Sequence, residues 1–142
     1  MRIAASVMLL LAALVQERAV IVVHAPDSPV RLERAALLSH SEGPPVVIYA
    51  ATNLTNDTLE QFTVMAFTFK ADGTLKARQV APGRRTLEAR ETKYSAMVLD
   101  GSPAEAGDSI VVGVNQAQRV NSESWWRADL QAAAEARVPK KP

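Results

Sequence analysis

The chain has 142 residues, 48% of them apolar, with 16 Lys and Arg against 15 Asp and Glu and no cysteine. That length fits one domain able to bury its own core without disulfides. The near-neutral balance lacks the basic excess that a phosphate-binding surface needs, which excludes nucleic-acid binding. The lack of cysteine argues against a small disulfide scaffold and favours a bacterial envelope setting.

At the start, Arg2 precedes an uncharged apolar run over residues 3–15 (IAASVMLLLAALV) that stops at Gln16, Glu17 and Arg18. A basic residue followed by about a dozen apolar ones is the pattern of a secretory h-region. It falls short of the roughly 20 residues of a membrane span. Residues 1–18 are therefore read as a signal peptide or an N-terminal anchor helix, a buried first strand or helix being the remaining alternative. The absence of a cysteine after the run excludes a lipid anchor. The expected location is exported, periplasmic or extracellular, with membrane contact only through an uncleaved N-terminal segment.

Residues 19–127 read as a run of short strands. Residues 19–25 (AVIVVHA) are β-branched and end at the Pro26 to Pro29 turn. Residues 30–38 alternate as a strand with a bulge, a helical turn being the alternative, and residues 39–45 (SHSEGPP) form a loop. Residues 46–73 read as two neighbouring strands of a β-sandwich. In the second, Phe62, Val64 and Ala66 face inward and alternate with Thr63, Met65, Phe67 and Phe69. Ala71, Asp72 and Gly73 then turn the chain so that residues 74–80 return antiparallel. Residues 86–89 and 92–99 are extended, residues 100–108 (DGSPAEAGD) are a loop, and residues 109–116 (SIVVGVNQ) are a buried strand. Residues 128–138 (ADLQAAAEARV) carry helix formers with Pro139 as a stop, so residues 128–142 are a short C-terminal helix and tail. The sum is an all-β, antiparallel sandwich of about seven strands.

A strand ending at Asn53, a polar turn with Asp57, and a long strand with Val64, Phe67 and Phe69 before Gly73 resemble the FxLYD-type immunoglobulin-like domains of bacterial exported proteins. Residues 87–92 (LEARET) stand where such domains carry Leu-x-Pro-Gly-Glu, with Ala89 and Arg90 replacing Pro and Gly. The resemblance covers roughly residues 45–100. It implies an immunoglobulin-like fold and an interaction or structural module without catalytic residues.

No arrangement of residues suggests catalysis. The two histidines, His24 and His40, lack a partner constellation. Without cysteine they make a structural zinc site implausible. Asp72, Asp100 and Asp108 lack the dense ligand spacing of a calcium loop and read as turn formers. Lys76, Arg78, Arg84, Arg85, Arg90 and Lys93 form a basic strip interrupted by Glu88 and Glu91, as on a solvated face. The sequons at Asn53 and Asn56 coincide with a turn. No enzyme activity, cofactor or metal is expected. The candidate binding residues are Trp125 and Trp126: neighbours on a strand point oppositely, so one plugs the core, and the other either packs under the C-terminal helix or faces out as a contact for a partner or a sugar. The expected role is a non-catalytic module for protein–protein or self interaction in the cell envelope. The alternative is a carbohydrate or small-ligand binding domain that uses an exposed tryptophan.

Overall fold

A computed structural model describes residues 15–40, 43–81, 86–100 and 105–139. The expected N-terminal helix falls largely outside them, and residues 15–18, its last four, belong to a strand. In chain order the elements are β1 (Val15–Ala19), β2 (Ile21–Val23), β3 (Val30–His40), β4 (Val46–Asn53), β5 (Leu59–Phe69), β6 (Leu75–Val80), β7 (Thr92–Val98), β8 (Ser109–Arg119), β9 (Ser124–Trp126) and α1 (Leu130–Arg137). Nine described strands replace the seven expected. One reason is that residues 19–25 divide at Val20, β1 joining one sheet and β2 the other. Another is that β9 is an added three-residue strand.

The first sheet has the order β1-β3-β4-β7, and the second β2-β8-β5-β6 with β9 also paired to β8. Every pairing is antiparallel except β2 on β8. Residues 46–73 are thus corrected in one respect: β4 and β5 are consecutive in the chain but lie in different sheets. The β5–β6 hairpin forms as expected. The Lys70 amide donates to the Thr74 carbonyl, and the Asp72 carboxylate accepts from the Thr74 amide at 2.9 Å. Gly73 has φ 89°, a conformation that glycine adopts without a Cβ penalty. The expected bulge in β3 lies between Glu33 and Ala36, with Arg34 at φ 53°.

Two cores explain why β5 carries bulk on both faces. Phe62, Val64 and Ala66 point between the sheets, against Leu37, Val47, Tyr49 and Met97. On the opposite side of β5, Phe67 and Phe69 are also fully buried, because α1 lies over them. Leu130 and Ala134, four residues apart on that helix, and Val138 at its C-cap form the apolar stripe. Gly113 on β8 permits the approach: a Cβ there would sit 2.6 Å from Leu130 Cδ1 and 3.2 Å from the Val23 carbonyl oxygen. The layers are therefore sheet, sheet and helix, leaving the outer face of the first sheet without a described helix over it.

Candidate recognition surface at Trp126

Strand β9 is short, and its register is set by its pairing with β8. Trp125 lies opposite Ala117 and Trp126 opposite Gln116, and the ladder continues as the Arg127 amide donates to the Asn115 carbonyl at 3.0 Å. Ala117 faces the inter-sheet core, so its partner Trp125 packs against that core. The Trp125 indole nitrogen donates to Asp27 Oδ2 at 3.0 Å, tying β9 to the turn after β2. Period-two alternation then turns Trp126 outward, where it is 67% exposed. Of the two candidates, Trp125 is structural and Trp126 is the exposed one.

The backing of Trp126 is polar and connected. Gln116, directly opposite, is buried; its Oε1 accepts from Gln61 Nε2 at 3.2 Å, and its Nε2 reaches Ser124 Oγ at 3.5 Å. Thr63 Oγ1 donates to Asn115 Oδ1 beside it. Between the turn after β2 and the segment 125–129 an open groove of about 400 Å³ is lined by Pro26, Asp27, both tryptophans, Arg127 and Asp129. Arg127 Nε donates to Asp129 Oδ1 at 3.2 Å, leaving Asp129 largely in solvent. The groove therefore offers an indole face, carboxylate acceptors and an apolar wall. Such a set suits stacking and hydrogen bonding, with no nucleophile and base held together.

The other sequence candidates have local partners. Asp108 is buried, and its carboxylate accepts from Lys76 Nζ at 2.8 Å and from the Glu105 amide at 2.9 Å. Burial pushes its carboxyl up, but the Lys76 hydrogen bond, the Glu105 amide and the nearby Lys76 and Arg18 charges outweigh it and hold it below the ordinary 3.8. The Arg18 guanidinium adds donors to the carbonyls of Glu105, Ala106 and Asp108. Within the basic strip Arg78 donates to Gln131, Arg90 to Asn56 and Lys93 to the Thr86 carbonyl, while Arg84 and Arg85 lie outside the described residues. The His40 side chain lies outside them too, and His24 is exposed. Among the described residues no helix is long and apolar enough to cross a membrane, and no group of three His, Asp or Glu could hold a metal ion.

Asn53 is the residue whose importance the sequence concealed. It is fully buried, and Nδ2 donates to the carbonyls of Asp57 at 2.8 Å, Leu87 at 3.2 Å and Glu88 at 3.1 Å. Its Oδ1 accepts from the amide and hydroxyl of Thr55 at 2.9 and 2.8 Å. The side chain thus clamps the 54–58 turn to the Leu87 segment, and a glycan cannot be attached to this sequon in the folded protein. No family model matches the chain, and no curated protein or solved structure matches it.

Proposed function

We propose that this protein is a non-catalytic, exported, immunoglobulin-like module that acts by protein–protein or self interaction in the cell envelope. The observation carrying this reading is Trp126, a large aromatic held 67% exposed on a strand fixed by ladder hydrogen bonds and by the Trp125–Asp27 anchor. Rigid, amphipathic aromatics supply most of the energy at recognition surfaces because little side-chain entropy is lost on docking. The immunoglobulin-like assignment rests on the two packed sheets and on the Asn53 to Gly73 resemblance. Export rests on the apolar run over residues 3–15. The test is capture from envelope extracts with purified protein. Trp126→Ala is expected to abolish capture of a discrete partner while leaving the thermal midpoint unchanged. Equal capture by both proteins would remove Trp126 from the account.

A carbohydrate ligand is the second reading, favoured by the carboxylates of Asp27 and Asp129 beside the Trp126 indole in the open groove. Quenching of tryptophan fluorescence by members of a glycan panel, lost in Trp126→Ala, is its expected signature. A flat response across the panel contradicts it.

A further inference from the structure

We propose that a second copy of this chain docks on the outer face of the β1-β3-β4-β7 sheet. Cross-strand register arranges that face in rows. Leu38, Val46 and Val98 form one row, and Glu17 opposite Leu38 extends it onto β1. Ala36, Ile48 and Ala96 form the next, extended by Ala19. Ala50 and Tyr94 lie in the third, beside the Glu33–Ala36 bulge that carries Arg34. Their chain neighbours Leu37, Val47 and Met97 enter the inter-sheet core, so alternation turns these rows outward.

The face is apolar well beyond what a solvated sheet face needs. Tyr94 is 69% and Val98 45% exposed, and a shallow groove of about 590 Å³ runs over Ala36, Ile48 and Ala96. The second sheet has α1 over its corresponding face; no described element crosses this one.

Charge placement selects a second copy as the occupant. Glu17 borders the first row and Arg34 the third, and both line the groove, so the middle row separates an acidic end from a basic end. A two-fold axis lying in the interface along the middle row places the first row of one copy over the third row of the other. Glu17 of each copy then comes within reach of Arg34 of its mate, and Val98 packs on Tyr94. A surface that complements itself in this way is what an isologous dimer requires. Arg34 is already aimed across the face, its Nη1 donating to the Tyr94 hydroxyl at 2.9 Å. Glu17 is held in place because the adjacent Arg18 is fastened to the 105–108 loop. Four strands about 4.8 Å apart and roughly 20 Å long give a projected face on the order of 300 Å², which places the dimer among weak, concentration-dependent associations.

Sedimentation of the full chain over a concentration series reads the proposal. A reversible dimer is expected, with Ile48→Glu raising its dissociation constant at least tenfold. Glu17→Arg and Arg34→Glu should each weaken it, and the double exchange should restore it, because each interface then regains both opposite-charge contacts. Far-UV dichroism monitors folding, and Ala96→Glu, at an exposed edge-strand position, stands in if Ile48→Glu does not fold. A monomer at all concentrations, a dimer indifferent to Ile48→Glu and Ala96→Glu, or one that the double exchange fails to restore overturns it. So does a face occupied by residues 1–14 of the same chain or by a different protein. This proposal gives the self-interaction reading its surface and is independent of Trp126. Partner capture lost in Trp126→Ala by a strictly monomeric protein would leave the functional reading intact and remove only the dimer.

Discussion

Replacing Asn53 with Ala is expected to cost more than any other single polar substitution in the described protein. The amide engages five partners: its two N–H hydrogens are shared among three carbonyls, and Oδ1 accepts twice from Thr55. Each bond contributes about 1 kcal/mol net, with an added cost for buried partners left unpaired. The Asp57 carbonyl also receives the Thr55 hydroxyl, and the Leu87 carbonyl also receives the Leu59 amide, so these two keep a partner. The Glu88 carbonyl likewise keeps the Glu91 amide, whereas the Thr55 amide loses its bond to Asn53 and regains water only if the turn opens. About 3–4 kcal/mol follows, a large fraction of the roughly 5–15 kcal/mol that holds a domain together. At about 4 °C per kcal/mol for this size, the thermal midpoint should fall by roughly 12–16 °C. Urea unfolding followed by tryptophan fluorescence, with the m-value checked for constancy, measures the loss. Asn53→Asp should be worse than Asn53→Ala at neutral pH, because it sets a carboxylate against three carbonyl oxygens. A loss below about 1 kcal/mol for Asn53→Ala, or an Asp variant more stable than the Ala one, would refute the clamp.

Asp108→Asn should destabilise by about 3 kcal/mol at pH 7 by leaving Lys76 without its buried counter-charge. Because the folded carboxyl titrates below its unfolded value of 3.8, the part of the wild-type advantage that rests on its charge is complete above that value and is lost as pH falls through the folded one. Chemical denaturation from pH 7 to pH 2 checks it, and a constant difference over that range contradicts it. Gly113→Ala should cost about 1–3 kcal/mol, since the new methyl meets Leu130 and the Val23 carbonyl. Thermal melts that show no loss would mean that α1 sits more loosely over β8 than described. Trp125→Ala should lower the melting midpoint by 10 °C or more at about 3–5 kcal/mol, while Trp126→Ala leaves it within about 2 °C. The reverse order in a melt would invert their assignment.

Much of the fold was legible because alternation is local. Phe62, Val64 and Ala66 share a parity that one face of a strand imposes, and the Ala71 to Gly73 turn carries its own conformational signature. What was hidden depends on distant partners. Val20 carries no turn residue, yet the chain changes sheets there, because Ala19 finds Ala36 and Ile21 finds Val111. Phe67 and Phe69 had the parity of an exposed face, and only α1, some sixty residues on, buries them. The tryptophan pair could be read as one inward and one outward, but the choice falls to Ala117. Asn53 resembled an ordinary turn residue since its carbonyl partners at Leu87 and Glu88 lie over thirty residues away.

The central claim, that Trp126 is a contact surface for another protein, is tested most directly by a photo-reactive amino acid placed at position 126 and activated in the intact cell envelope. A discrete protein adduct is expected, and it should disappear when the same group is moved to exposed Glu123, which does not line the groove formed by residues 25–27 and 125–129. Recovery of uncrosslinked chain alone, from position 126 as from position 123, would contradict it.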